Sequence, residues 1–179
     1  MKKKALNKTR QKTAREFKHF SHRDLQKLVR SPRPDNRLFA ILLIRKQIEE
    51  GIDPLSYYSL AKSLVSDSNN DCRWQSLVVI SELVEMQPDL VWDVVSKYGN
   101  SNDADMRMAI ACVLLEHLIE YDFDTYFTKV RELIHKGRYK FIDTLESCGF
   151  FEISKVHRKR VQSFLTKAKR GLSRSQWSG

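Results

Sequence analysis

Apolar residues recur at helical spacing along most of the chain, and no stretch shows the strict alternation that is typical of a β-strand. Cap residues, prolines and glycines divide this pattern into segments. Ser21 with Asp24 resembles a capping box at the start of a helix, and the SPRP motif at 31–34 ends that helix. Asp53 followed by Pro54 starts a later helix. We therefore predict an all-α protein with helices at 21–29, 36–50, 54–65, 72–87, 88–98, 106–120, 123–136, 138–148 and 154–171.

A short motif recurs along this helical pattern, with an arginine between a polar turn and a long apolar run. The stretches PDNRLFAILLI, NDCRWQSLVVI and DADMRMAIACVLL contain Arg37, Arg73 and Arg107, and a weaker copy begins at Arg138. The steps between these arginines are 36, 34 and 31 residues. A repeated unit of this kind cannot bury its apolar face alone, so we expect neighbouring copies to stack into a curved array that presents a surface.

The predicted helices are of two kinds, apolar and amphipathic. The helix at 106–119 is apolar almost all round and should be sandwiched between neighbours, with Leu114 in its central part. The preceding helix has a single apolar stripe, formed by Leu90, Val91, Val94 and Val95. An inner layer of apolar helices beside an outer layer of amphipathic helices is the arrangement that a stack of two-helix repeats requires.

The repeated segments resemble those of the HEAT-repeat family. Over residues 35–150, a polar turn with aspartate leads through a hydrophobic residue to the arginine and an apolar helix, while Pro54 and Pro88 open the other helix of a pair. The resemblance implies a short right-handed α-solenoid of three to four HEAT-like helix pairs. It also implies a ladder of aspartate and arginine side chains across the turns.

Length and composition favour a single domain. The chain has 179 residues, of which 41% are hydrophobic, and this is enough for one sizeable core. The basic N-terminus has no apolar stretch behind it and no apolar run is long enough for a membrane span, so we expect a soluble cytoplasmic protein. The expected organisation is a basic, poorly ordered arm at 1–20, a repeat domain with a C-terminal capping helix at 21–172 and a flexible tail at 173–179.

The net charge of +10 is unevenly distributed. Residues 1–50 contain 15 Lys and Arg against 5 Asp and Glu, residues 51–150 contain 9 against 16, and residues 151–179 contain 8 against 1. Basic ends attract polyanions such as nucleic acid or an acidic protein surface. The alternatives are a solubilising role and contact of the basic ends with the acidic middle. The N-terminal candidates for phosphate contact are Lys2, Lys3, Lys4, Lys8, Arg10 and Lys12.

The last predicted helix combines an apolar side with many cations. Its apolar side is predicted to contain Val156, Val161, Phe164, Leu165 and Ala168. A polar outer face suits the capping helix of a repeat stack. The alternative function is contact with nucleic-acid phosphates, or less favourably with an anionic membrane surface, without readout of the bases. The cations in question are Arg158, Lys159, Arg160, Lys167, Lys169 and Arg170.

One segment resembles a catalytic motif. VWDVVSKYG is similar to the WDxVD segment of the HEAT-like alkylpurine DNA glycosylases, in which the tryptophan packs on the lesion and the last aspartate stabilises the sugar cation. Trp92 matches the tryptophan, but Ser96 stands at the position of the catalytic aspartate. Asp93, one residue after Trp92, points in another direction on a helix. We therefore interpret Trp92 as an anchor between helices.

Other candidates for chemistry lack the partners that they would need. His117 can share a helix face with Glu120, but a metal site requires two further ligands. Cys72, Cys112 and Cys148 are odd in number and lie far apart without CxxC spacing, so we interpret them as reduced packing residues. The sequence predicts no metal, no cofactor and no small-molecule substrate.

The sequence as a whole favours a non-catalytic interaction module that presents a helical surface to a protein partner. The alternative is phosphate-driven binding of DNA or RNA through the basic ends, and a relative of the glycosylases is less favoured. The polar residues expected to contact a partner are Arg45, Gln75, Glu82, Glu85, Glu116 and Glu120.

Overall fold

The computed structural model of the protein describes residues 20–171. Within this range the chain is largely helical and contains no β-strand, which confirms the predicted all-α class. The predicted basic arm, apart from its last residue, and the predicted tail lie outside the described residues. The helices are α1 (His22–Val29), α2 (Pro34–Glu49), α3 (Tyr58–Leu64), α4 (Asn70–Ser81), α5 (Pro88–Tyr98), α6 (Ala104–Ile110), α7 (Glu116–Tyr121), α8 (Phe123–His135), α9 (Phe141–Glu146) and α10 (Lys155–Gly171).

Side-chain caps start several of these helices. The Ser21 hydroxyl accepts a hydrogen bond from the backbone N–H of Asp24 at 3.2 Å, as the predicted capping box requires. Gly51 and Gly137 follow the ends of α2 and α8 with φ of 98° and 88°, a conformation that glycine adopts at low cost. The turn before α3 and the helices α4, α6 and α8 are capped in turn by Asp53, Asn69, Asp103 and Asp122.

Several helix boundaries differ from the sequence prediction. Helix α2 begins two residues earlier, at Pro34, because proline in the first turn has no N–H to leave unpaired. The first turn of the third predicted helix is a 3-10 helix at Pro54–Tyr57. Helix α4 ends at Ser81 and turns follow at 82–86, while Gln87, the residue before Pro88, is outside the helical conformation with φ of −142° and ψ of 59°.

The helices pack in two groups. Helices α2, α4, α6 with α7, and α9 contact one another in chain order, and we call them the first layer. Helices α1, α3, α5, α8 and α10 pack against the first layer, and we call them the second layer. None of the helices in the described part of the chain is long and apolar enough to cross a membrane.

The helix predicted at 106–120 is continuous but changes geometry in its middle. Ala111–Leu115 forms a π-helical segment between α6 and α7. Leu114 and Leu118 are completely buried, which confirms that this helix is sandwiched between neighbours. Met108 is an exception on the same helix, because 45% of its surface remains exposed.

The first of the repeated arginines joins two successive turns of the first layer. Arg37 donates from Nε and Nη2 to the two carboxylate oxygens of Asp67 at 2.6 and 2.8 Å. Its Nη1 also donates to the carbonyl oxygen of Ser31 at 2.9 Å. The guanidinium therefore ties the turn before α2 to the turn before α4.

The next two arginines make the corresponding connections. Arg73 donates from Nη1 to Asp103 at 3.0 Å and from Nη2 to Asp105 at 2.6 Å. Arg107 donates from Nη2 to Asp143 at 3.4 Å. Contacts between an arginine of one first-layer helix and an aspartate at or before the start of the next are therefore present at all three positions.

The fourth arginine does not continue the series. Arg138 lies in the turn before α9 and donates to the carbonyl oxygen of Ser96, on helix α5. Arg37, Arg73 and Arg107 are each the fourth residue of their helix, whereas Arg138 precedes the first residue of α9 by three positions. Within the described residues, Arg138 therefore does not make the contact with an aspartate that the other three arginines share.

Candidate functional site

Partly exposed side chains of the first-layer helices contact one another from helix to helix. Arg45 on α2 donates to Gln75 on α4 at 2.6 Å, and Trp74 on α4 donates from its indole to Asp105 on α6 at 3.4 Å. These half-buried contacts place three successive helices on one surface. We call it the first-layer face, and it is defined by Phe39, Leu42, Arg45, Trp74, Gln75, Val78, Met108 and Cys112.

The first-layer face exposes three large apolar side chains to solvent. Phe39, Leu42 and Met108 are 45%, 44% and 45% exposed. The Phe39 ring also packs edge-on against Phe20, with ring centroids 5.9 Å apart. Exposed apolar side chains such as these are typical anchors of sites that contact another molecule.

An acidic cleft of about 650 Å³ opens where α4 and α7 end. Its carboxylates come from Glu82 and Glu85 after α4, from Glu120 on α7, and from Glu152 on the connection between α9 and α10. Helix C-termini carry partial negative charge, which adds to that of the carboxylates. The cleft is also lined by Ser81, Val84, Met86, His117 and Tyr121. Its electrostatics therefore favour a cationic ligand.

Glu120 is held in place inside this cleft. Its Oε1 accepts a hydrogen bond from the backbone N–H of Glu152 at 3.0 Å, and its Oε2 lies 3.7 Å from Nδ1 of His117. The contact with His117 confirms that the two side chains share a helix face.

Glu116 has a different role from the one predicted, because it is only 6% exposed and accepts a hydrogen bond from the backbone N–H of Gly149 at 2.7 Å. Its buried carboxylate fixes the end of α9 and does not belong to the accessible surface.

Five of the six residues predicted to bind a partner lie on these two surfaces. The predicted partner-binding residues that lie on the first-layer face or in the acidic cleft are Arg45, Gln75, Glu82, Glu85 and Glu120. Met86 and Tyr121, which are 54% and 50% exposed, and Glu152 were not predicted. They lie at the ends of helices and in a connection, where helical periodicity carries no information. The sequence does contain a signal for Met86, which is an apolar residue outside the stripe of positions predicted to be buried.

A basic groove runs between α8 and α10. Two adjoining cavities of about 490 Å³ each share Arg131, Phe164 and Lys167 in their walls. The groove is defined by Arg131, Lys159, Arg160 and Lys167 together with Phe127 and Phe164. Its cationic lining is opposite in charge to the acidic cleft.

Most of the predicted apolar side of α10 faces the core. Val161 is buried, and Phe164, Leu165 and Ala168 are half-buried against core residues. The prediction for Val156 is wrong, because this residue is 67% exposed. At about 100° per residue, Val156 projects about 140° away from Val161 around the helix, so the two side chains cannot share a narrow apolar stripe.

Contacts within the fold divide the predicted C-terminal cations into two sets. Three have partners: Arg158 donates to the carbonyl oxygen of Phe150, Arg160 pairs with Asp124 and Lys169 pairs with Glu146. Lys159, Lys167 and Arg170 are exposed and have no ion-pair partner among residues 20–171. The N-terminal candidates, which lie outside the described residues, are Lys2, Lys3, Lys4, Lys8, Arg10 and Lys12.

Trp92 packs between two helices of the second layer. Its ring centroid lies 5.7 Å from that of Tyr126 on α8, and Lys129 Nζ lies 5.5 Å from the Trp92 ring. These contacts confirm that Trp92 anchors α5 to α8. The Ser96 hydroxyl donates to the carbonyl oxygen of Asp93 at 3.1 Å. The position of the glycosylase aspartate therefore carries a hydroxyl that is bonded within its own helix.

The cysteines are packing residues, as predicted. Cys72 and Cys148 are buried and Cys112 is half-buried, and all three are free thiols. Burial raises the pKa of each thiol above its usual value, most strongly at Cys148, which disfavours the reactive thiolate. Within residues 20–171 no group of three His, Cys, Asp or Glu side chains is arranged to hold a metal ion.

Comparison of this chain with known protein families, with curated proteins and with solved structures found no match.

Proposed function

We propose that this protein is a non-catalytic interaction module whose first-layer face and acidic cleft bind a protein partner. The observation that carries the proposal is the exposure of large apolar side chains on the first-layer face of a chain that also has a cleft of four carboxylates at the ends of α4 and α7. Interfaces combine apolar anchors with complementary charge, which gives affinity from the anchors and orientation from the charges. The partner segment that fits is cationic and amphipathic.

The contacts of the repeated arginines support the architecture that this proposal assumes. Arg37, Arg73 and Arg107 each connect successive turns of the first layer, as the resemblance to HEAT repeats implies. We propose that the helix pairs form a short right-handed α-solenoid, three to four pairs long, with α10 as its capping helix. Arrays of this kind present an extended surface to other macromolecules.

A designed peptide tests the proposal directly. The probe, called the lysine peptide, is an amphipathic helical peptide of about 18 residues with leucine at one helix face and lysine elsewhere, and the control peptide has the same composition in an order that gives no apolar face. Fluorescence anisotropy with the full chain should show binding of the lysine peptide only, and the affinity should fall as salt rises. Equal binding of both peptides, or of neither, would contradict the proposal.

Variants locate the charged part of the binding surface. The double substitution Glu82→Gln with Glu85→Gln should weaken binding of the lysine peptide about threefold to tenfold, since each exposed ion pair contributes about 0.2 to 1 kcal/mol. Asp93→Asn with Glu132→Gln is the matched control, because both residues are exposed on the second layer and the net charge changes equally. The control pair should change the affinity by less than about twofold.

A second pair of variants tests the apolar part. Leu42 on the first-layer face and Leu55 in the turn before α3 are 44% and 40% exposed. Leu42→Ala should weaken peptide binding about threefold or more, because it removes buried apolar contact in the complex. Leu55→Ala should leave the affinity unchanged. If both substitutions have the same effect, the peptide does not bind to the first-layer face.

A further inference from the structure

The basic groove between α8 and α10 holds cations that the fold does not neutralise. Lys159 and Lys167 line it without an ion-pair partner in the described part of the chain. Arg131 is within 5.8 Å of the Phe127 ring centroid and 5.6 Å of the Phe164 ring centroid. Of the four groove cations, only Arg160 has a carboxylate partner among residues 20–171, which is Asp124 at 2.8 Å.

The arrangement of these cations is unfavourable without an anion. Like charges that line one recess repel each other, and the apolar walls beside them reduce solvent screening. The aromatic rings hold Arg131 towards the groove by cation–π contact and do not cancel its charge. The groove therefore favours an extended polyanion that places a negative charge near each cation.

We propose that the basic groove binds the sugar–phosphate backbone of single-stranded nucleic acid. A single strand can enter a groove between two helices and bring successive phosphates to the cations on both walls. A planar membrane surface would meet only the cations at the rim. This function is independent of the acidic cleft, which repels phosphate.

The rings near the groove determine how specific this binding is. His157 stacks on Phe123 with centroids 3.8 Å apart, and Arg160 lies 4.9 Å from the same ring centroid. Phe164 contacts Phe127 edge-on at 5.7 Å. Because the protein's own side chains already contact these rings, bases have little access to them for stacking. Binding should therefore depend on phosphates and show slight preference for sequence.

The test uses the full chain and a fluorescent oligothymidine of about 12 nucleotides at about 50 mM salt, with a duplex of equal length and phosphatidylserine vesicles as competing ligands. The single strand should bind more tightly than either competitor. Lys159→Gln with Lys167→Gln should lower its affinity at least about fivefold. The same pair should reduce the magnitude of the log–log salt slope by about 1.4, since each phosphate contact on a single strand contributes about 0.7.

Matched variants separate the groove from the overall positive charge. Lys27→Gln with Lys97→Gln removes the same charge from exposed positions on α1 and α5 and leaves both termini unchanged. This control pair should change the affinity less than about twofold. The proposal is overturned if the two pairs weaken binding equally, if vesicles or duplex are preferred, or if the full chain does not bind the oligothymidine at all. Circular dichroism melting of each variant confirms that all are folded.

Discussion

At the residue scale, three arginines connect the turns of the first layer, but their N–H groups are not equally satisfied by hydrogen bonds. Arg37 donates from Nε and both terminal nitrogens, and its side chain is 14% exposed. The buried Nε atoms of Arg73 and Arg107 have no hydrogen-bond partner among residues 20–171. An unpaired buried donor has a desolvation cost, so we expect Arg37 to stabilise the fold most.

Alanine substitutions test this ranking. Arg73→Ala and Arg107→Ala should each lower the free energy of unfolding by about 1 to 3 kcal/mol through loss of charge-assisted hydrogen bonds, and Arg37→Ala should lower it further. Arg23→Ala, at an exposed position on α1, is the control and should change it by less than about 0.5 kcal/mol. Urea denaturation measures all four. Neutral outcomes at both Arg73 and Arg107 would show that the repeated arginines are coincidental.

Asp67 gives the arginine contacts a pH dependence. The hydrogen bonds from Arg37 hold the pKa of the Asp67 carboxyl below its usual value. A carboxyl whose pKa is lower in the folded state contributes stability above its unfolded pKa of about 3.9, and this contribution is lost as the pH falls through the folded pKa. Asp67→Asn should therefore destabilise the protein at neutral pH by about 1.5 to 3 kcal/mol.

The difference between the original chain and the Asp67→Asn variant should shrink as the pH falls from about 4 through the lower pKa of the folded state, because the Asp67 carboxyl then becomes neutral like the asparagine amide. Chemical denaturation at several pH values measures it. A difference that stays constant down to acid pH would mean that the ion pair with Arg37 does not stabilise the folded state.

The sequence predicted the arginines but not their acceptors. The spacing of Arg37, Arg73 and Arg107 is visible in the repeated motif. The acceptors stand at different places in successive turns: Asp67 precedes the cap of α4 by two residues, whereas Asp105 follows the cap of α6 by two. Which carboxylate a guanidinium reaches depends on how one helix lies against the next, and that is a tertiary property.

At the element scale, the central helix of the first layer combines complete burial with irregular geometry. Its position between neighbours was predictable, because it is apolar almost all round. The π-helical segment at Ala111–Leu115 was not, since no proline or glycine marks it and apolar residues on every side conceal a change of period. Because a π-helical turn is wider than an α-helical turn, the side chains after this segment point in directions that differ from those expected for a regular α-helix. Glu116 follows it immediately and is buried, which explains why simple periodicity misplaced this residue.

Leu114 lies inside the π-helical segment and tests how tightly it is packed. Leu114→Ala should lower the free energy of unfolding by about 2 to 5 kcal/mol, because it leaves a cavity at a fully buried position. Leu55→Ala, which changes an exposed leucine, should lower it by less than about 1 kcal/mol. Thermal melting followed by circular dichroism compares the two. A melting temperature for Leu114→Ala within a degree or two of the original would contradict its burial.

At the scale of the whole molecule, the middle of the described chain and its C-terminal end have opposite charge, and each of these two segments lines a cleft or groove of its own sign. Three of the four carboxylates of the acidic cleft, those of Glu82, Glu85 and Glu120, come from residues 51–150, and the cations of α10 form one wall of the basic groove. The sequence predicted the separation of charge. It did not predict the basic groove, because Arg131 and Lys167 come from different helices and meet only when α10 packs on α8.

The most direct test of the first-layer face is to locate a bound ligand on it. Two-dimensional ¹H–¹⁵N NMR spectra of the full chain should be recorded during titration with the lysine peptide. The amide shifts should change along the first-layer face on α2, α4 and α6 and around the acidic cleft at 81–86 and 117–121, while those of α8 and α10 around the basic groove stay in place. Changes confined to α8 and α10, or spread evenly over the molecule, would contradict the proposed interaction surface.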